Sequence, residues 1–226
     1  MAILLPPAIG RAVTRLTSEA ELPADRLRDY LLRLDEYLQA FDTLTLDVFG
    51  FACTASSYLV DPAVAADTIA RCSHRRGYPI VTAADAIAGA LDRIGARRIA
   101  LVSPYPPDLA EAAIVYWQRS GYDVRIVAAA SELARGDDTR GIYALGSEDA
   151  ADALARLDLC DVDAVLLSGT GMPSLPLIAS RRSGPPVLSS NLCLAAALSA
   201  RLGGPDLLIE TDAWRARCRA ALNQKG

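Results

Sequence analysis

Short apolar runs alternate along this chain with longer amphipathic segments, several of which stop at glycines, and few folds accommodate that rhythm. The runs at residues 2–5, 44–49, 79–81, 98–102, 123–128, 164–168 and 186–189 read as strands. Between them, residues 25–41, 61–74, 84–94, 109–120, 147–157 and 192–202 carry apolar side chains at helical spacing. Leu27, Leu31, Leu34 and Leu38 mark one face of the first of these helices. Asp61 followed by Pro62 is a helix start, and Gly95, Gly121 and Gly203 are helix stops. Strands that alternate with helices predict parallel sheets covered by helices. Residues 131–146 are richer in Gly, Asp and Arg and read as a loop.

Two strand-to-helix turns resemble each other. One is Phe49-Gly50-Phe51-Ala52-Cys53-Thr54-Ala55-Ser56 and the other is Leu167-Ser168-Gly169-Thr170-Gly171-Met172-Pro173-Ser174. Each follows an apolar run and precedes a segment that can be helical. Paired turns of this kind suggest two similar half-domains facing one cleft. Ligands of open parallel sheets bind beyond the carboxyl ends of the strands. The turn holding Tyr105 and the turn Ser189-Ser190-Asn191 occupy two further strand ends.

The 226 residues suffice for one large domain or two small ones, and 52% hydrophobic residues can fill a sizeable core. A net charge of −4 with scattered arginines gives no sign of nucleic-acid binding. No apolar run approaches the roughly 20 residues of a membrane span, and residues 1–7 lack the basic start of a secretory signal. A cytoplasmic location is expected, with Cys53, Cys72, Cys160, Cys193 and Cys218 reduced. No two cysteines have metal-ligand spacing, the single histidine His74 lies beside Arg75 and Arg76, and no complete nucleotide-binding fingerprint occurs. Neither metal nor cofactor is expected.

Cys53 is the one cysteine inside a turn rich in glycine and hydroxyls. A helix N-terminus beside it is expected to lower its pKa. A thiol there can donate a proton, remove one or attack an electrophile. Thr54, Ser56, Ser168 and Thr170 can bind carboxylate oxygens or merely cap helices. Gly169 and Gly171 permit close backbone approach, and Tyr105 is either a carboxylate donor or a packing residue. Cys193, just after Asn191, is the least certain of the remaining thiols.

Together these segments resemble the aspartate/glutamate racemase superfamily, in its arylmalonate decarboxylase and maleate cis-trans isomerase branch. The resemblance rests on Pro6-Pro7-Ala8, residues 50–58, residues 91–105, residues 166–178 and residues 186–191. It implies two Rossmann-like parallel half-domains related by pseudo-twofold symmetry, here residues 1–97 with 190–226 and residues 98–189. It also implies a cofactor-independent reaction on a small carboxylate or dicarboxylate. Pro7, Thr54, Ala55, Ser56, Tyr105, Ser168, Gly169, Thr170, Gly171 and Asn191 are then substrate-binding candidates. A homo-oligomer is left open.

The chain departs from both patterns of that branch. Racemases and isomerases of the superfamily have a cysteine in each loop, and arylmalonate decarboxylases keep only the second. This chain has Cys53 in the first loop and Gly169 where the second cysteine would fall. Ala55 stands where the decarboxylase has a hydroxyl, and Ile9-Gly10 replaces the isomerase's substrate-binding Asn. One thiol cannot perform symmetric two-base racemisation, but it can protonate an enediolate from one face. The leading expectation is a decarboxylase of a substituted malonate. A cis-trans isomerase or racemase using Cys53, or a carboxylate-binding protein without catalysis, are the alternatives. On the leading reading, a thiol placed at 169 would supply a second base.

Overall fold

The computed structural model describes residues 1–129 and 139–223. Two parallel sheets organise them. In the smaller, β1 (Phe49–Phe51) pairs with β2 (Ile80–Thr82). In the larger, β3 (Arg98–Ser103), β4 (Asp123–Ala129), β5 (Ala164–Leu167) and β6 (Val187–Ser189) run in the order β4-β3-β5-β6. All pairs are parallel, as strand–helix alternation dictates.

The larger sheet is buried on both faces. Ala100, Val102, Val165 and Leu167 face one core cluster, and Ile99, Leu101, Ala164, Leu166 and Leu188 face another. Continuous apolar strands are the consequence of helices on both sides. α5 (Ala83–Arg93), α6 (Pro107–Arg119) and α9 (Ser190–Arg201) contribute to the second cluster, with Trp117 fully buried. α7 (Ser147–Ala155), α8 (Leu175–Ser180) and α10 (Asp212–Asn223) contribute to the first, around the buried Trp214. α4 (Pro62–Arg76) starts as expected, with the Asp61 carboxylate accepting from the amides of Ala63 at 2.9 Å and Val64 at 3.2 Å.

Four expectations are corrected. Residues 2–5 form a turn, not a strand, with the amides of Leu4 and Leu5 bonded to the Met1 carbonyl. Leu4 and Leu5 are both buried, and the Arg217 guanidinium donates to the carbonyls of Ile3 and Leu4, which fastens the turn to α10. The strand expected at 44–49 is instead β1, so Phe49-Gly50-Phe51 belongs to the sheet and the turn begins at Ala52. The helix expected at 25–41 breaks at Arg33 into α1 (Pro23–Leu32), α2 (Leu34–Leu38) and a 3₁₀ turn (Gln39–Phe41). The segment expected to be a loop at 131–146 includes a 3₁₀ turn at Thr139–Ala144, while 131–138 lie outside the described residues.

No helix among the described residues is long and apolar enough to cross a membrane.

Candidate active site

The carboxyl ends of β1, β3, β5 and β6 lead into residues 52–54, 104–105, 168–171 and 190–191. The loops after β1 and β5 touch: the Thr170 hydroxyl donates to the Ala52 carbonyl at 2.7 Å. Beside this contact opens a cavity of about 1230 Å³, lined by Cys53, Ala55, Tyr105, Thr170 and Gly171 among others.

Cys53 is the N-cap of α3 (Thr54–Leu59) in extended backbone conformation. Its sulfur accepts a hydrogen bond from Ser56 Oγ at 3.1 Å. The amides of Ala55 and Ser56 also favour the thiolate, as the helix N-terminus should. Burial outweighs them and pushes the thiol above its ordinary value. The expected lowering is therefore reversed in sign. Although part of Cys53 reaches the cavity, the sulfur is set in a dense protein shell that solvates charge poorly, and a protonated thiol results at neutral pH.

The other candidates fall into two sets. Ala55, Tyr105, Thr170 and Gly171 stand on the cavity wall with Cys53. Thr54, Ser56 and Ser168 are buried behind it. The Thr54 and Tyr105 oxygens lie 2.8 Å apart, so Thr54 holds the phenol that faces the cavity. Burial and the nearby Tyr58 raise the Tyr105 pKa well above its ordinary value, which keeps it a donor. The Gly169 amide donates to the buried Ser190 Oγ at 3.1 Å, and Asn191 Nδ2 donates to the Thr170 carbonyl at 2.8 Å. Asn191 thus pins the second loop. Pro7 is exposed and off the wall, while its neighbours Leu5 and Ala8 line it.

Gly169 has φ 95°, and a Cβ built there would lie 2.8 Å from Pro104 Cγ and 2.9 Å from Ile142 Cδ1. A thiol introduced at 169 would strain the loop, contrary to the simple replacement expected from the loop pattern.

Two positions escaped the sequence reading. Tyr58, one turn after Thr54 on α3, shares a 3.0 Å hydrogen bond with Ser168 Oγ. Tyr30 of α1 also lines the cavity and borders the same core clusters as Cys53. The Ser-Ser-Tyr run after Thr54 was a signal for the first, and no local pattern marked the second. Among the described residues, no three His, Cys, Asp or Glu side chains are grouped to hold a metal ion.

Parallel sheets whose strand ends converge on one thiol, a phenol and two small-residue turns define a protein of the aspartate/glutamate racemase type. The arylmalonate decarboxylase family model matches residues 25–209, and the chain belongs to that family. The maleate isomerase of Nocardia farcinica (strain IFM 10152) is 37% identical over 112 residues, 48% of this chain and 43% of that protein. The maleate isomerase of Geobacillus stearothermophilus is 29% identical over 157 residues, 64% of this chain and 59% of that protein. The matched stretches thus span about half of these curated relatives. Among solved structures, the Nocardia farcinica maleate cis-trans isomerase bound to TRIS superposes with a TM-score of 0.81 at 23% identity, over 96% of this chain and 92% of that one. Arylmalonate decarboxylase superposes with a TM-score of 0.60 at 22% identity, over 78% and 74%. Both likenesses concern the fold.

Proposed function

We propose that this protein is a cofactor-independent decarboxylase of a substituted malonate or similar small diacid, working between half-domains 1–97 with 190–226 and 98–189. The observation that carries the reading is the Cys53 thiol on the cavity wall, where its loop meets the second loop through the Thr170–Ala52 hydrogen bond and where Tyr105 also lies, with burial favouring the protonated thiol. The carboxylate that remains in the product lies against Tyr105, backed by Thr54, and against the amides of Thr170 and Gly171. Neither amide has a hydrogen-bond partner among the described residues. Loss of CO₂ leaves the electron pair of the broken C–C bond delocalised into that carboxylate as an enediolate, which donors fixed in advance stabilise. Cys53 delivers its proton to the α-carbon from one face, and water returns a proton to the thiolate. The apolar cavity wall takes the substituent and the departing carboxylate.

A second reading is favoured by the curated relatives, which are maleate isomerases. There Cys53 would add to a double bond as a thiolate, and burial of the sulfur opposes that state. A solved Gly-to-Cys, Cys-to-Ser double variant of arylmalonate decarboxylase in liganded form offers the closer parallel in thiol placement.

Phenylmalonate, maleate and amino-acid enantiomers, followed by NMR in deuterated water, separate decarboxylation, isomerisation and α-proton exchange. Decarboxylation of phenylmalonate, lowered about 10²-fold or more in Cys53→Ala, is expected. Unchanged turnover in Cys53→Ala removes the mechanism, and no turnover with retained diacid binding leaves a carboxylate-binding protein.

A further inference from the structure

Ser56 is fully buried behind the cavity wall, so its hydroxyl meets neither solvent nor the cavity. A buried hydroxyl forfeits its bonds to water and needs a partner inside the protein. Among the described residues, that partner is the Cys53 sulfur, to which Ser56 Oγ donates at 3.1 Å. The local sequence dictates the pairing. Cys53 is the N-cap of α3 and Ser56 its third residue, and one turn of helix brings a side chain at that position back to the N-cap. Thr54, two residues earlier, is bonded to Tyr105 instead.

Burial disfavours the Cys53 thiolate, and against it stand Ser56 Oγ first and then the amides of Ser56 and Ala55. None of these groups is cationic, whereas many reactive thiols lean on a neighbouring Lys, Arg or His. Ser56 therefore supplies the one side-chain donor that favours charge on this sulfur among the described residues.

The strength of that bond depends on the charge it meets. A neutral thiol is a weak acceptor, whereas a thiolate accepts a charge-assisted bond. When the S–H bond breaks, the proton passes to the α-carbon, where the electron pair of the enediolate forms the new C–H bond. The S–H electron pair stays on sulfur, and the Ser56 bond tightens as that charge develops. Stabilisation that grows toward the transition state raises kcat and leaves ground-state binding unchanged. The hydroxyl also occupies the sulfur from the α3 side, which leaves the S–H to the cavity that Cys53 borders.

We propose that Ser56 is a positioning residue for Cys53, aiming its S–H at the cavity and stabilising the thiolate that proton release leaves behind. The destination of the proton rests on the decarboxylase reading, but the hold of Ser56 on the thiolate is measurable without turnover.

The test compares Ser56→Ala, Ser56→Thr and Ser57→Ala with the unmodified full chain. One readout is the rate at which iodoacetamide alkylates Cys53 as a function of pH, followed by mass spectrometry of the Cys53 peptide. The other is kcat and KM on phenylmalonate. In Ser56→Ala the alkylation profile should move to higher pH by about one unit, because the thiolate has lost a charge-assisted donor. Its kcat should fall about tenfold with KM within about twofold. Ser56→Thr, which keeps the hydroxyl, should restore both, and Ser57→Ala should leave the alkylation profile in place. An unmoved profile in folded Ser56→Ala, a raised KM at unchanged kcat, or a folded Ser56→Thr that behaves like Ser56→Ala overturns the proposal. If the added methyl keeps Ser56→Thr from folding, the serine pair decides: a shift in Ser56→Ala alone supports the proposal, and equal shifts in Ser56→Ala and Ser57→Ala overturn it. A shifted alkylation profile in Ser56→Ala without release of CO₂ from phenylmalonate by the unmodified protein upholds the Ser56 hold on the thiolate and rejects the decarboxylase reading, so the two failures are distinguishable.

Discussion

Cys53 shows two opposing forces on one atom. The start of α3 offers its sulfur Ser56 Oγ and two amides, and burial withdraws more than they give. Because the folded pKa lies above the ordinary 9.0, the proton-donating form persists across neutral pH and is lost only on the alkaline side. A rate-versus-pH profile should therefore stay level across neutral pH and fall only on the alkaline side of the ordinary thiol range. A fall centred near pH 7 would show a thiolate-poised cysteine and count against the proton-donor role. Gly169 makes the second residue-scale case. Gly169→Ala should cost about 1–3 kcal/mol in chemical denaturation, since its φ of 95° and the nearby Pro104 side chain disfavour any Cβ. Gly169→Cys should share that cost, so any racemase activity it gains would appear in a less stable protein.

At the scale of elements, hydrogen bonds join α3 to the carboxyl ends of the larger sheet. The Tyr58–Ser168 bond connects α3 to the end of β5, and the Thr54–Tyr105 bond connects it to the turn after β3. Tyr58→Phe removes one of them and leaves the buried Ser168 hydroxyl without that partner. A stability loss of about 1–3 kcal/mol is expected, together with lower kcat, measured by denaturation and initial rates. The other ends of the strands are fastened electrostatically. Asp163, just before β5, accepts from the amides of Arg97 at 3.0 Å and Arg98 at 2.8 Å, and from the Arg98 guanidinium. These donors hold its carboxyl well below the ordinary carboxylate range. A depressed pKa contributes stability above the unfolded value and loses it as pH falls through the folded one. Thermal melts of Asp163→Asn should show a lower Tm at pH 7 than the unmodified protein and a narrower difference between them at acid pH. An unchanged gap down to pH 2 would remove this role.

At the scale of the molecule, the two sheets are unequal: two strands in one and four in the other among the described residues. The cavity opens on the side of the smaller sheet, where residues 8–18 and 44–48 form much of its wall without regular structure.

The parallel α/β class was readable from the strand–helix alternation, because full burial between helices leaves continuous apolar strands such as β3 and β5. The loops that meet at the site were readable for a related reason: small residues and hydroxyls cluster where a strand passes into a helix around Cys53 and Gly169. Residues 2–5 looked equally strand-like, and only the tertiary structure shows that Leu4 and Leu5 bury side by side in a turn held by Arg217. The sign of the Cys53 shift was also out of reach. Desolvation depends on how densely other elements surround an atom, which sequence-local pattern does not reveal. Local pattern determined which elements form; long-range packing decided which of their side chains share a cavity and what charge each one carries there.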